Sequence, residues 1–240
     1  MHRLNYQKIK GNILDIIFPK YCINCKKEGE YLCQDCEALV ELLEYRFCLC
    51  EKPTRLVGDE RCRKCSRNHQ LKGLYFATPY QNNLAKTLLH LFKYEPFARD
   101  LSRTIASIII NHFQLLGKKK EEFADFILLP VPLAKRRLRW RGFNQSEEIG
   151  KWLADFLNIP IVNDALIKTR NTIPQIQLSG QERKENIKGA FFVLNKEIII
   201  GKKVLLIDDV YTTGATMEEC VKTLKESGAK EIWGVVAARG

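Results

Sequence analysis

The sequence predicts a parallel, doubly wound α/β sheet that follows a small cysteine-rich module. Continuous apolar runs such as Phe126 to Val131 alternate with segments whose apolar residues recur at helical spacing, a pattern typical of parallel sheets. Eight of the nine cysteines lie within the first 65 residues, in four close pairs. We therefore expect a cysteine-rich module over residues 1–70 and an α/β domain over residues 71–240.

Length, charge and hydropathy restrict the class of protein. The 240 residues are 45% hydrophobic and 28% charged, as expected of a globular chain with a sizeable core. No apolar run approaches the roughly 18 residues that span a bilayer, and no cleavage site follows the first apolar residues, so we expect a cytoplasmic protein without a membrane span. The net charge of +11 suits an anionic partner such as a phosphorylated metabolite or nucleic acid, although a basic surface that only maintains solubility gives the same total.

The four cysteine pairs predict metal sites. A Cys-x-x-Cys segment can fold as a tight turn that directs both thiolates at one ion, and two such turns complete the tetrahedral coordination that zinc prefers. Metal is favoured over disulfides in a reducing compartment, and idle thiols are the remaining alternative. The first predicted site consists of Cys22, Cys25, Cys33 and Cys36, and the second of Cys48, Cys50, Cys62 and Cys65.

The second cluster is less regular than the first. A single residue separates Cys48 from Cys50, which makes that turn harder to form, and His69 is an alternative ligand four residues after Cys65. A closed four-thiolate site leaves no open coordination position, so we expect one or two zinc ions with a structural role. The isolated Cys220 falls within a predicted helix and is expected to be a small buried side chain.

Strands and helices are predicted in alternation after the cysteine-rich module. The strands are Leu74 to Tyr80, Phe126 to Val131, Val204 to Ile207 and Ile232 to Ala238. The helices are Asn82 to Tyr94, Ala98 to Leu116, a segment that Asn144 begins, and Ala215 to Ser227, which Gly228 ends.

The helix after Asn144 carries a single apolar stripe. Asn144 precedes Glu147 with the spacing of a capping box, which predicts where the helix begins. A stripe at helical spacing predicts packing against the core and no cofactor surface. Its residues are Ile149, Trp152, Leu153, Phe156 and Leu157.

The stretch VLLIDDVYTTGAT ends a predicted buried strand on two carboxylates, at the edge of the sheet where ligands bind in such folds. Asp208 and Asp209 suit the vicinal hydroxyls of a ribose or a hydrated magnesium ion, because carboxylates accept hydrogen bonds and coordinate hard cations. The alternative is that the acids cap a turn and the threonines cap the helix. The next residues offer hydroxyls and backbone N–H groups that suit the phosphate of a ribose 5-phosphate. They are Thr212, Thr213, Gly214, Ala215 and Thr216.

The same stretch resembles the phosphoribosyl pyrophosphate motif of type I phosphoribosyltransferases. Two further segments, PVPLAKRRLRWRGFNQS and NTIPQIQLSGQERKENIKGAF, stand with it in the order and spacing of the ComF family, also called the GntX or ComFC family. The chain is similar to that family over nearly its whole length, with Cys48-x-Cys50 as the main departure. The resemblance implies a type I phosphoribosyltransferase-like parallel sheet flanked by helices, after a small zinc-ribbon module.

The resemblance also implies roles for individual residues. Asp208 and Asp209 would hold the ribose hydroxyls, and residues 212–216 the 5-phosphate. The pyrophosphate loop would consist of Pro132, Leu133, Ala134 and Lys135. Four arginines follow this loop, and their positive charge suits a pyrophosphate or a nucleic-acid backbone. The alternative is that they form only a solvated helix end. They are Arg136, Arg137, Arg139 and Arg141, beside Trp140. The family's mobile loop matches a polar segment with Gln175, Ser179, Arg183 and Asn186, whose roles are not assigned.

Three functions are compatible with these motifs. The resemblance implies a phosphoribosyl pyrophosphate-binding protein of DNA uptake or utilisation that handles single-stranded DNA beside a helicase-like partner. The first alternative is an active phosphoribosyltransferase that uses magnesium and an unknown acceptor, because no nucleobase pocket is recognisable. The second is a regulator that senses the metabolite without chemistry.

Overall fold

The computed structural model describes residues 19–50, 52–58, 60–95, 98–172 and 180–240. The chain forms two compact units, of which the first ends at Glu41 and the second runs from Leu42 to Gly240. The first cysteine cluster therefore belongs to the first unit and the second cluster to the second unit. The boundary between residues 70 and 71, which was expected from the cysteine content, stays a prediction.

The described part of the first unit is a small turn-rich structure. Tyr21 pairs with Glu28 in an isolated antiparallel bridge, and the N–H of Cys22 donates to the carbonyl of Lys27 at 2.8 Å. Helix α1 spans Gln34–Glu37 and carries the buried Cys36. So short a unit has little apolar surface to bury, which is why covalent or metal cross-links are expected in it.

The strands of the second unit are, in chain order, β1 Arg46–Phe47, β2 Arg55–Leu56, β3 Gly73–Pro79, β4 Phe126–Pro130, β5 Leu166–Lys168, β6 Phe191–Val193, β7 Lys203–Ile207, β8 Val210–Tyr211 and β9 Glu231–Arg239. Its helices are α2 Arg63–Asn68, α3 Asn83–Tyr94, α4 Leu101–Leu115, α5 Lys135–Arg141, α6 Gln145–Leu157, α7 Gly180–Ile187 and α8 Ala215–Glu226. Short 3₁₀ helices lie at Ala98–Asp100, Lys120–Phe123 and Lys196–Ile198.

The central sheet is parallel, as predicted. Its strand order is β3-β9-β7-β4, and β8 also runs parallel to the end of β9. β1 with β2 and β5 with β6 form two separate antiparallel pairs. The four predicted strands and the helices after Asn82, Asn144 and Gly214 are confirmed, whereas the helix predicted over residues 98–116 begins with a 3₁₀ turn.

Both faces of the sheet are covered, because alternate residues of each strand point to opposite sides. On one face Tyr75 of β3 packs edge-on against Phe113 of α4, with ring centroids 5.0 Å apart. On the other face Leu74 joins a core cluster with Val221 of α8 and Val193 of β6. This double coverage explains the nearly continuous apolar runs of the strands.

Two local predictions need correction. Trp152 is not a core residue, because 44% of it is exposed and its indole N–H donates to Ser102 Oγ at 3.3 Å at the edge of the helix packing. Asn144 caps α6 by accepting from the N–H of Ser146, while Glu147 pairs with Lys151 and so does not complete a capping box. The stripe residues Ile149, Leu153 and Leu157 are buried as predicted, and so is Cys220.

Within the ranges given above, none of the helices has the length and apolarity that crossing a membrane requires.

Candidate functional site

A cavity of about 930 Å³ lies in the second unit where the strands of the parallel sheet end. Its walls include the residues that follow β3, β4 and β7, at Tyr80, Val131 and Asp208. The first turns of α6 and α8 also contribute, through Ser146 and Ala215. Because a helix N-terminus presents backbone N–H groups without intrahelical partners, this edge of the sheet favours an anionic ligand.

The two adjacent aspartates lie in this cavity and are held by a small network of donors. Ser146 Oγ and the backbone N–H of Asp209 both donate to Asp208 Oδ1, each at 2.9 Å. Lys93 Nζ lies 2.9 Å from Asp209 Oδ2 and forms an ion pair with it. The backbone N–H of Asp208 donates to the carbonyl of Val235 at 3.0 Å, so the strand pairing sets the position of both acids.

This network perturbs the ionisation of its members. Burial, together with the adjacent charge of Asp209, raises the pKa of Asp208 to about 7, although Lys93 and the donated hydrogen bonds oppose that increase. Burial lowers the pKa of Lys93, but the carboxylates of Asp209 and Asp208 outweigh it and the net pKa is raised. Asp208 therefore changes charge near neutral pH, while Lys93 stays protonated beside it.

The turn between β8 and α8 is the predicted phosphate cradle, which we define as residues 212–216. Gly214 begins the helix with φ +76°, a left-handed conformation that glycine adopts without strain. A Cβ at this position would overlap the ring of Tyr211, so glycine is required for steric reasons as well. Thr213 Oγ1 accepts from the N–H of Ala215 at 3.4 Å, which orders the turn before the helix.

Positive charge dominates the lining of the cavity. Burial and the like charge of Arg137 lower the pKa of Lys168 to about 8, and Arg141 donates to Gln145 Oε1 at 2.8 Å. Cationic side chains thus outnumber the two carboxylates among the described residues of the wall, and the field favours a ligand with several negative charges. They are Lys93, Arg136, Arg137, Arg141, Lys168 and Arg183.

Most of the residues predicted for ligand binding line this one cavity. They are Asp208, Asp209, Thr212, Gly214, Ala215, Thr216, Pro132, Leu133 and Ala134, together with the arginines Arg136, Arg137 and Arg141. Thr213, Lys135 and Arg139 are not among the lining residues that the structure describes. Of the mobile-loop residues, Gln175 and Ser179 lie outside the described residues, whereas Arg183 lines the cavity.

The sequence interpretation missed three polar residues of the site. Lys93 occupies the last turn of an amphipathic helix, Ser146 follows the cap of α6, and Lys168 ends the short strand β5. A lysine beside an apolar stripe is common at helix ends, so nothing in the local pattern distinguished Lys93. Its link to Asp209 depends on the packing of α3 near the end of β7, which is a tertiary feature.

The cysteines of each predicted metal site lie together. In each cluster the four sulfur atoms are within 4.8 Å of one another. Individual Sγ to Sγ distances are 3.6 Å for Cys25 and Cys33 and 3.7 Å for Cys50 and Cys62. Four sulfurs placed about 2.3 Å from one zinc ion would lie about 3.8 Å apart, so the geometry of both clusters fits a tetrahedral ion.

Backbone donors support the sulfurs of the second cluster. The N–H groups of Thr54 and Leu49 donate to Cys48 Sγ and Cys65 Sγ, each at 3.2 Å, which favours the thiolate form that binds metals. Cys50 belongs to this cluster despite the single-residue spacing. The alternative ligand His69 instead donates through Nδ1 to Glu218 Oε1 at 2.7 Å.

Comparison with known proteins identifies one domain and several relatives. Residues 145–240 match the family described as the phosphoribosyl transferase domain. The chain is 37% identical over 141 residues to competence protein F of Haemophilus influenzae, covering 58% of this chain and 62% of that protein. It is 36% identical over 151 residues to the DNA utilization protein YhgH of Escherichia coli K12, covering 61% and 64%.

A longer match extends beyond the domain. The chain is 27% identical over 209 residues to competence protein ComFC of Bacillus subtilis, covering 84% of this chain and 81% of that protein. By contrast, it spans a little over six-tenths of the length of competence protein F and YhgH. The relatives, the matched domain and the parallel sheet with its paired cysteine clusters agree with the resemblance of the motifs, and together they support the ComF/ComFC family for this chain.

Proposed function

We propose that this chain binds phosphoribosyl pyrophosphate with magnesium and acts in DNA uptake or utilisation, where it handles single-stranded DNA. The observation that carries the proposal is that Asp208, Asp209 and the phosphate cradle open into the same cationic cavity. Acids for a sugar, N–H groups for its phosphate and cations for a pyrophosphate are the three kinds of group that this ligand needs. The relatives named for competence and DNA utilization support the cellular role.

Each part of the ligand has a proposed partner. Asp208 and Asp209 accept hydrogen bonds from the ribose hydroxyls and are the oxygen ligands that suit magnesium. The cradle binds the 5-phosphate, with Thr213 ordering the turn. The pyrophosphate lies along residues 132–135 and the arginines of α5 that line the cavity, where guanidinium groups can donate two parallel hydrogen bonds. A cavity of about 930 Å³ has the size of small-molecule sites in general.

Calorimetric titration with phosphoribosyl pyrophosphate and magnesium tests the site. The wild type is expected to bind, and an Asp208→Ala, Asp209→Ala double variant is expected to lose binding, because both sugar-binding acids are removed. An Asp155→Ala, Asp164→Ala variant is the matched control, since it removes two exposed carboxylates that do not line the cavity. Equal binding by the wild type and the double variant, or no binding by either, would contradict the proposal.

Helix α5 is the proposed contact with single-stranded DNA. It carries four arginines within Lys135–Arg141, and Trp140 between them is 68% exposed. Cationic side chains that follow a phosphate backbone and an exposed aromatic ring that stacks on bases are the usual elements of such a surface. Arg139 distinguishes this role from pyrophosphate binding, because it lies outside the cavity wall while Arg137 lies within it.

A salt titration of single-stranded DNA binding tests the helix. Arg139→Ala is expected to weaken binding and to reduce the salt slope by about 0.7 for each phosphate that the side chain neutralises in the wild type. The same variant is expected to bind phosphoribosyl pyrophosphate with the affinity of the wild type, whereas Arg137→Ala is expected to lower the affinity for that ligand. Arg103→Ala, on the exposed side of α4, is the control. If Arg136→Ala and Arg139→Ala both leave DNA affinity and slope unchanged, the helix does not contact DNA.

The second candidate function is phosphoribosyl transfer, which the matched domain favours. The reaction passes through a positively charged sugar, so catalysis depends on electrostatic positioning and requires no nucleophilic side chain. The acids and cations of the cavity suit that task. In this transfer the bond between C1 of the ribose and the pyrophosphate breaks and a bond to the acceptor forms. Release of pyrophosphate in the presence of added candidate acceptors such as nucleobases measures the transfer, and the absence of release with all of them favours the metabolite-sensing role. A helicase-like partner stays a prediction of the family resemblance.

Structural zinc is proposed for both cysteine clusters. Metal analysis by mass spectrometry is expected to find two zinc ions per chain. Cys50→Ser is expected to lose one of them, while Cys220→Ser, which alters a buried thiol outside the clusters, should retain both. If the wild type contains one zinc ion per chain and Cys50→Ser contains the same amount, the second cluster holds no metal.

A further inference from the structure

The second cysteine cluster lies beside the phosphate cradle and contacts the elements at both ends of it. On the side of Cys48 and Cys50, Arg239 donates to the two backbone carbonyls, from Nη1 to Cys48 at 2.7 Å and from Nη2 to Cys50 at 3.0 Å. Arg239 is the last residue of β9. The irregular Cys-x-Cys turn is thus held by the strand at the centre of the binding edge.

Arg239 also contacts the residue that precedes the cradle. It pairs in register with Tyr211 of β8, its guanidinium carbon lies 5.9 Å from the centre of the Tyr211 ring, and the N–H of Gly240 donates to the Tyr211 carbonyl at 2.9 Å. The Tyr211 ring in turn occupies the space beside Gly214. One side chain therefore joins the cysteine turn to the base of the cradle.

The other half of the cluster contacts the end of the cradle. Cys65 lies in α2, and the N–H of His69 donates to its carbonyl at 3.0 Å. The His69 ring donates to the Glu218 carboxylate at 2.7 Å. Glu218 lies in the first turn of α8, where its N–H donates to the carbonyl of Gly214 at 2.9 Å. The second connection thus holds the helix whose N-terminus forms the cradle.

We infer that the second cysteine cluster positions the phosphate cradle, with Arg239 and the His69–Glu218 pair as the positioning residues. None of these three side chains lines the described wall of the cavity, so they act on a ligand only through the cradle. A closed four-thiolate site has no open coordination position, so its role is to stabilise the fold around it. The contacts of the second cluster extend this stabilisation to residues 211–218. The consequence for ligand affinity rests on the proposed function of the cavity.

Amide hydrogen exchange of the ligand-free protein, followed by calorimetry with phosphoribosyl pyrophosphate and magnesium, tests the inference. Arg239→Gln and Glu218→Ala are each expected to accelerate exchange at residues 212–217 about tenfold, without a change in β4 or β7. Both are expected to raise the Kd of the ligand about tenfold. Arg170→Gln is the matched control, because Arg170 likewise donates to two carbonyls, those of Asn186 and Lys188, and lies outside the cluster.

The outcomes separate this inference from the proposed function. Unchanged exchange at residues 212–217 in both variants would overturn the positioning role. If the wild type fails to bind phosphoribosyl pyrophosphate, the proposed function is wrong, and the exchange data still decide the positioning role. If Arg239→Gln does not fold, Glu218→Ala decides the question alone, because its side chain is partly exposed at the start of a helix.

Discussion

Gly214→Ala is expected to bind phosphoribosyl pyrophosphate with magnesium about a hundredfold more weakly than the wild type, because one or two N–H contacts to the charged phosphate are lost and each such hydrogen bond is worth about 1.5 to 3 kcal/mol. The residue has φ +76°, a conformation that costs a non-glycine residue about 1 to 2 kcal/mol. The added Cβ would also overlap the Tyr211 ring. The turn must therefore move, and the N–H groups of α8 move with it.

Gly201→Ala separates these two causes. Gly201 has φ +72°, but an added Cβ would meet no atom of the described residues within 4 Å. This variant is expected to lose a similar amount of stability through backbone strain while it keeps the affinity of the wild type. Thermal unfolding and calorimetry measure the two quantities. Wild-type affinity in Gly214→Ala would show that the cradle does not hold the ligand.

The ligand-free protein is expected to lose stability relative to Asp208→Asn as the pH rises from 5 to 8. The pKa of Asp208 is raised from 3.8 to about 7 in the folded state, so between these values the folded chain binds a proton that the unfolded chain has lost. The stabilisation that protonated Asp208 contributes is therefore fully present below about pH 4, and it is lost as the pH rises through 7. The difference from Asp208→Asn should grow by at least about 2 kcal/mol, since one pKa unit corresponds to about 1.4 kcal/mol.

Denaturant unfolding at several pH values measures this difference. Asn at position 208 can still accept from Ser146 and from the N–H of Asp209, so the comparison isolates the charge. Ser146→Ala and Lys93→Met each remove a group that lowers the pKa of Asp208, and each should move the loss of stability to higher pH. A difference between the wild type and Asp208→Asn that is constant from pH 5 to 8 would contradict the expectation.

Sequence reasoning was most accurate where one short segment determines its own structure. The run VLLI reads as a buried strand by its apolar continuity, and the glycine at 214 marks a turn before a helix. It was least accurate where two distant segments decide the result. Trp152 fits the apolar stripe of α6, but the edge of the packing with α4 leaves it 44% exposed.

The same distinction applies to the candidate site. Asp208, Asp209 and residues 212–216 are close together in the chain, so their spacing indicated a ribose 5-phosphate site or a pair of caps, and the family resemblance favoured the site. Lys93 and Ser146 come from other helices, and they join the acids only after α3 and α6 pack near the end of β7. Their side chains nevertheless change the charge of the pair.

By itself, the sequence determined the parallel α/β class, the two sets of four cysteines and the acidic and glycine-rich motif at the end of a strand. These features follow from local patterns, because apolar periodicity and ligand spacing act over a few residues. Only the tertiary structure decided that Lys93 pairs with Asp209 and that Arg239 joins the second cysteine cluster to the cradle. Such contacts span up to 191 residues of chain, and they exist because the packing of the sheet brings the ends of its strands to one edge.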